Sequence, residues 1–441
     1  AVNNNGYYVA GDQISILVNF SENVIYTPGS GSMTLTLETG TNDAVVLYSS
    51  GSGSQSLVFT YTVVGEETNH TSSDLDYKAT SSLVVTAGAT LRDSAGNNAT
   101  LTLPSPGASG SLGASKNLIV DTALPAFSSI SPATNSFVTS ANVGYTLSEA
   151  IASGIVKYTL TGGASDVSSP HNVSLAGSEL NTGTFSLGAL TNAPTLVNGA
   201  VYSIAFNGTD AAGNAATAVT VTGITYDITA PTITSSVAGI DKAENSGAGQ
   251  TIYTITASDN VGATSFAIGG DDAGLLSVNA SGVVLLTADP DYETKSSYSF
   301  TVTATDDSSN TSAATTVTFA ITNVDEVVPT ITSGTSGTDL AENSGAGQTI
   351  YTITADANDG GTIASYAIAG DDAGLLSVNA SGVVTLTADP DYETKNSYSF
   401  TVTATDAAGT SAATTVTFSI TNVDEVVPTI TSGTSGTDLA E

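Results

Sequence analysis

Cysteine and tryptophan are absent from the 441 residues, methionine occurs once, and lysine and arginine together number only 7. Without cysteine there is no disulfide framework, no thiolate zinc site and no thiol nucleophile. The 7 basic residues face 41 acidic ones, a formal charge of −34. Nucleic-acid binding needs a basic face that neutralises phosphates, so it is excluded as a default. The same balance argues against docking on anionic lipid. An acidic chain so poor in cations invites divalent metal ions or a salty milieu. No apolar run of about 18 residues occurs, so no membrane-spanning helix and no membrane insertion are expected. The opening AVNNNGYY lacks the charged and apolar regions of a secretion signal, which suggests a removed signal or a segment of something longer. Histidine occurs only as His70 and His171, both in polar stretches that read as loops (TNHTSSD and SSPHNV), far apart in the chain. Nothing marks an activated serine beside either, so no enzyme is expected.

What is present is a uniform β texture. Runs such as QISILVNF (13–20), SLVFTYTV (56–63), TIYTITA (251–257) and SFTVTATD (299–306) alternate apolar and polar residues and are rich in β-branched types. That period of two marks half-buried strands, and their spacing between Gly, Asn, Asp and Pro turns is that of β-sandwiches. Long repeats are superimposed on this texture. ENSGAGQTIYTITA at 244–257 recurs at 342–355, GDDAGLLSVNASGVV at 270–284 recurs at 370–384, and ITNVDEVVPTITSG begins at Ile321 and again at Ile420. The period of about 98–100 residues is one sandwich domain. Upstream, VDTALPAF (120–127) and YDITAPTI (226–233) share an Asp, Thr, Pro grammar, and Pro stiffens such connectors. The expected domains are 1–122, 123–229, 230–327 and 328–427, with a further repeat starting at 428–441.

A series of short boxes runs through the third domain: AEN (243–245), SFAIGGDD (265–272), NASG (279–282), DYE (291–293), ATD (304–306) and NVDEVVP (323–329). The fourth has AEN (341–343), SYAIAGDD (365–372), DYE (391–393), ATD (404–406) and NVDEVVP (422–428). In these boxes the two C-terminal repeats resemble bacterial cadherin-like repeats. The first two domains resemble bacterial immunoglobulin-like domains through GDQISILVNFSENV (11–24), SSDLDY (72–77), RDSAGN (92–97), YTLSEAI (145–151) and TDAAGN (209–214). The implied fold is all-β: a tandem array of immunoglobulin- and cadherin-like Greek-key sandwiches forming an extended rod.

The resemblance also implies calcium at the domain junctions. No loop has EF-hand spacing, so oxygen ligands must converge from separate loops. Between the third and fourth domains they are expected from Glu244, Asp291 and Glu293, from the linker residues Asn323, Asp325 and Glu326, and from Asp356, Asn358 and Asp406. Asp306 plays the role of Asp406 one junction earlier, with Asp227 as linker donor. The same boxes after the fourth domain supply Glu342, Asp391, Glu393, Asn422, Asp424 and Glu425. There are departures from the family pattern. NVDEVVP has Val where the family linker carries a second Asn, and the Asp-x-Asp box is Asp356-Ala-Asn358 in one repeat but shrinks to SDN (258–260) in the other. Fewer ions per junction are therefore expected, with a weaker or absent site between the second and third domains.

Other acidic residues read as turn formers: Asp271, Asp272, Asp371 and Asp372, and the Asp93 and Asp210 boxes. Tyr292 and Tyr392 read as packing anchors. The expected function is an extracellular adhesive or structural stalk of a bacterial surface protein, stiffened by calcium. A self-assembling fibre or sheath subunit and a carbohydrate-binding array are the alternatives. The corresponding partners are calcium, further copies of the chain, or surface polysaccharide. A sugar platform would rest on the 17 tyrosines, and those in strands, such as Tyr253, Tyr298, Tyr351 and Tyr398, read as core.

Overall fold

The computed structural model describes residues 1–65 and 71–431. His70 and the stretch of the further repeat beyond Thr431 lie outside the described residues. Nearly all regular structure is β, and the one α-helix among the described residues is the single turn Leu112–Ser115. The chain divides into two compact units: residues 1–231 with 259–263 and 306–310, and residues 232–258, 264–305 and 311–441.

The first unit holds two hydrophobic cores. One gathers Ile14, Leu35, Leu57, Phe59 and Leu118. Its main sheet runs in the order Asp76–Tyr77, Met33–Glu38, Ala44–Ser50, Ser54–Thr62, Gln13–Thr27, Thr90–Arg92. The other gathers Tyr145, Tyr158, Tyr202 and Phe206. It lies between the sheet Phe127–Ser131, Val143–Leu147, Gly183–Gly188 and the sheet Phe137–Val138, Val219–Tyr226, Ala200–Thr209, Ser153–Gly163, His171–Ser174.

The second unit repeats one sandwich design twice. Lys242–Ala243, Thr315–Thr322, Ser297–Asp306 and Ala263–Gly269 form one sheet, and Gln250–Thr254, Val283–Leu286 and Leu276–Val278 the other. The second copy uses Leu340–Ala341, Thr414–Thr421, Ser397–Thr405 and Ser365–Ala369 with Thr349–Thr352, Val383–Leu386 and Leu376–Val378. The alternation seen in the sequence sets which side chains enter. In Ser297–Asp306 every second residue, from Tyr298 to Asp306, is buried. Tyr298 stacks on Phe319 at 4.7 Å, and Tyr398 on Phe418 at the same distance. Asp272 accepts from the backbone of Ser299 at 2.8 Å and from Lys295 at 3.1 Å, and Asp372 does the same with Ser399 and Lys395. Tyr392 packs on its core, whereas Tyr292 stays 38% exposed.

In each core a short early strand pairs in parallel with the last strand: Gly6–Tyr8 on Leu118–Val120, Phe137–Val138 on Val219–Tyr226, Lys242–Ala243 on Thr315–Thr322, Leu340–Ala341 on Thr414–Thr421. In the second unit this pairing brings the AEN glutamate beside the exit into the linker.

Candidate metal centres

Glu244 follows the strand Lys242–Ala243 and is 3% exposed. Its backbone N–H donates to Thr322, its Oε1 accepts from the linker N–H of Val324 at 2.6 Å, and its Oε2 accepts from Tyr292 N–H at 2.8 Å. One carboxylate thus ties the linker to the Asp-Tyr-Glu turn. Asp291 accepts from the N–H and hydroxyl of Thr294, and the N–H bond heads the causes that hold its pKa below the usual carboxylate range. Glu293 moves the other way, raised by desolvation and then by the Glu244 and Glu326 carboxylates. Oxygens of Glu244, Asp291 and Glu293 lie within 4.8 Å of one another. Asn323 donates to Glu293 at 2.9 Å and to the Asp359 carbonyl at 2.7 Å, and Asn245 donates to Glu326 at 3.2 Å.

Further along the same linker, Asp325 meets Asp359 and Asp406. Asp325 accepts from Ala407 N–H at 3.2 Å, Asp359 from the N–H groups of Glu326 and Val327 at 3.0 Å, and Asp406 from Gly409 N–H at 3.1 Å. Each keeps one buried oxygen with no hydrogen-bond partner: Asp325 Oδ1, Asp359 Oδ1 and Asp406 Oδ2. Burial, and then the neighbouring charges of Asp406 and Asp359, push the Asp325 pKa up. Buried carboxylate oxygens left unpaired beside like charges cost stability unless a cation answers them. The donors are all hard oxygens, the set that calcium takes.

Asp356 is not among them. It is exposed and pairs through its backbone with Thr330, and its Oδ1 accepts from Asn358 N–H. Asp359, three residues on, occupies the place expected of it. Asn358 reaches the linker through its amide, which donates to the Val328 carbonyl at 2.8 Å.

In the first unit, Asp227, Asp259 and Asp306 place ligand atoms within 4.8 Å of one another. Asp227 is fully buried; its Oδ1 accepts from Thr229 N–H and the Asn260 amide, and its Oδ2 has no partner. Asp259 Oδ1 is likewise unpartnered and buried. Asp306 is clamped by the N–H and side-chain amide of Asn310, and that amide also donates to the Asp227 carbonyl at 3.1 Å. The shortened SDN box therefore still delivers a carboxylate, through its middle residue.

A second group in this unit is Asp121, Glu149 and Asp210. Asp210 is clamped by Gly213 and Asn214, and the Asn214 amide donates to the Asp121 carbonyl at 3.1 Å. Burial heads the causes that raise the Asp121 pKa, with Asp210 adding to it. Asp210 is the turn former read from the sequence and is also 5% exposed among acids. Sequence reasoning passed over Asp121, Glu149, Asp259 and Asp359. The signal that reaches one of them is the Asp-x-x-x-Pro spacing, which Asp121, Asp227, Asp325 and Asp424 all obey.

The remaining predicted residues sit together. Glu342 accepts from Val423 and Tyr392 N–H groups, as Glu244 does from Val324 and Tyr292. Glu342, Glu393 and Glu425 cluster, and Asn422 donates to Glu393 at 2.9 Å. Asp391, Asn422, Asp424 and Glu425 line the same cleft. Desolvation and Glu342 raise the Glu393 pKa, while the Thr394 bonds lower that of Asp391.

His171 does not lie in a loop. It opens the strand His171–Ser174, and its Nε2 lies 2.6 Å from Asp166 Oδ2, which also accepts from Tyr202 OH at 2.8 Å. The flanking polar text hid the strand because its outer face is solvated.

Residues 337–421 match the cadherin domain family model. No curated protein matches the chain. Among solved structures, mouse cadherin-23 EC22-24 is 19% identical, covers 68% of this chain and 99% of its own, and superposes with a TM-score of 0.39. Human protocadherin-24 EC1-2 is 17% identical over 44% of this chain and 99% of its own, with a TM-score of 0.35. Chicken VE-cadherin EC1-2 is 23% identical over 43% of this chain and 99% of its own, with a TM-score of 0.34.

Proposed function

We propose that the chain is a non-catalytic extracellular stalk, a segment of a bacterial surface adhesin, whose acidic junctions take calcium. The observation that carries this reading is the set of unpartnered buried oxygens on Asp325, Asp359 and Asp406. These residues come from a linker and two loops, so a shared cation would hold three separate stretches together. Asn323, Glu326, Glu244 and Glu293 would serve the linker's other end, and Asp227, Asp259 and Asp306 a second centre. Bound there, calcium would supply the positive charge that neutralises these carboxylates, whose oxygens would coordinate it. The chain's own contribution is pre-positioning: backbone N–H groups already hold one oxygen of each carboxylate and leave the other aimed inward. The cadherin-domain match over residues 337–421 supports the adhesive or structural role.

A ligand that binds only the ordered junction stabilises it by about 2.7 kcal/mol at a hundredfold excess over Kd. Extracellular calcium modules work near ~10⁻⁴–10⁻³ M. Calorimetric calcium titration of the chain should show several sites. Asp325→Ala and Asp406→Ala should each remove or weaken at least about tenfold the uptake at this junction, with the other sites intact. Uptake indifferent to both substitutions would sink the reading.

A further inference from the structure

The third and fourth domains are nearly identical around their ATD boxes, yet the turn that follows differs by one residue. Asp306-Asp-Ser-Ser-Asn310 lies between the bridged Thr305 and Thr311, whose hydroxyls are 3.0 Å apart. Asp406-Ala-Ala-Gly409 lies between Thr405 and Thr410, bridged in the same way at 2.9 Å. The longer turn closes on Asn310: the Asp306 N–H donates to the Asn310 carbonyl at 3.1 Å, and the Asn310 N–H donates to Asp306 Oδ1 at 2.8 Å. The shorter turn closes on Gly409 by the same two bonds, so nothing stands where Asn310 does. Asp210-Ala-Ala-Gly-Asn214 has the longer form.

The second carboxylate oxygen registers the deletion. The Asn310 amide donates to Asp306 Oδ2 at 2.9 Å and to the Asp227 carbonyl at 3.1 Å. The Asn214 amide donates to Asp210 Oδ2 at 2.9 Å and to the Asp121 carbonyl at 3.1 Å. One side chain thus satisfies the turn carboxylate and ties it to the linker. Asp406 is 6% exposed, and its Oδ2 has no partner. Its turn reaches the linker through the Ala407 N–H, which donates to the Asp325 carboxylate at 3.2 Å. Unpartnered buried oxygens follow the same order among the described residues. Asp121, Glu149 and Asp210 have none; Asp227 and Asp259, beside Asn310, have one each; Asp325, Asp359 and Asp406, where the Asn is missing, all have one.

We propose that Asn214 and Asn310 are amide latches that do a cation's work. Each holds its linker Asp to the turn without metal, and the linker at Asp325, whose latch is deleted, is the one that needs calcium. Hydrogen bonds to a carboxylate are stronger than neutral ones, and a buried oxygen left bare costs its desolvation. A cation that binds only the ordered linker stabilises it most where no other group already does so. Calcium dependence therefore rises along the chain, least at Asp121, more at Asp227 and most at Asp325. The equivalence of amide and cation rests on the calcium reading above, whereas the latch rests on the hydrogen bonds alone.

Hydrogen exchange of the whole chain, read by mass spectrometry on peptides covering 225–231 and 323–329, tests both parts. In chelator, Asn310→Ala should speed exchange at 225–231 about tenfold, and millimolar calcium should restore the parent rate. Grafting the segment Asp307–Asn310 in place of Ala407–Gly409 should slow exchange at 323–329 in chelator by a similar factor and shrink the response to calcium there. The graft adds bonds, so it remains decisive even where the alanine variant loses its turn. Rates in chelator that neither change alters overturn the latch. If calcium slows 323–329 in the parent but fails to restore 225–231 in Asn310→Ala, amide and cation do different jobs; the proposal is then wrong and the calcium reading stands. If calcium leaves 323–329 of the parent unchanged, the calcium reading itself has failed, and the stand-in role falls with it.

Discussion

Asp291 and Asp325 are both junction carboxylates, yet their surroundings push their protons in opposite directions. Thr294 satisfies both oxygens of Asp291, so its charged form is favoured. Asp325 is desolvated beside Asp406 and Asp359, so its charged form is disfavoured. A carboxyl whose folded pKa is raised contributes stability that is present at low pH and lost as pH rises through the folded value. In chelator, Asp325 therefore opposes folding at neutral pH. Asp325→Asn is expected to raise the melting temperature in chelator at pH 7 and, on the proposed calcium site, to lower it in millimolar calcium. A calorimetric scan under both conditions checks this, and a shift of the same sign in both would contradict it. Most of the carboxylates that gather at the proposed junction sites were legible as residue types in sequence boxes. Asp359 was not, because Asp356-Ala-Asn358 mimics the expected box and only the loop's path brings Asp359 under the linker amides.

At the scale of the element, the strands were legible because burial on one face imposes a period of two. Pairing was not. That Lys242–Ala243 runs parallel to Thr315–Thr322 depends on Lys242 meeting Ile321 and Ala243 meeting Thr322 across a sandwich, a non-local pairing, and no local pattern encodes it. The turns show local demands more directly. Gly282 has φ +78°, and a Cβ there would stand 2.7 Å from the Ile255 carbonyl oxygen; Gly382 repeats this at φ +79° and 2.6 Å from Ile353. Gly282→Ala should destabilise the chain by more than about 1 kcal/mol, as read from urea denaturation. Gly274→Ala, with open space around its Cβ position and no positive φ, serves as the control and should cost less.

Across the whole molecule the −34 charge is the dominant electrostatic fact. Close carboxylates repel, and screening is the cheap remedy: the Debye length falls from about 30 Å at 0.01 M salt to about 8 Å at 0.15 M. Raising sodium chloride over that range should raise the melting temperature clearly in chelator and much less in saturating calcium. Thermal scans decide it; equal salt effects in both would mean that bound cations do not relieve the junction charge.

Composition and periodicity by themselves determined that this is an all-β chain of repeated sandwiches, without disulfides and without an apolar run long enough for a spanning helix. Those are properties of residue counts and local spacing, which need no knowledge of what meets what. Tertiary structure decided which carboxylates share a space, that Asp259 and Asp359 join the linker acids, and that Asp121, Glu149 and Asp210 converge. The reason is physical: which carboxylates meet is set by distances between residues remote in the chain, and those distances exist only once the sheets have paired and the linkers have been pinned to them.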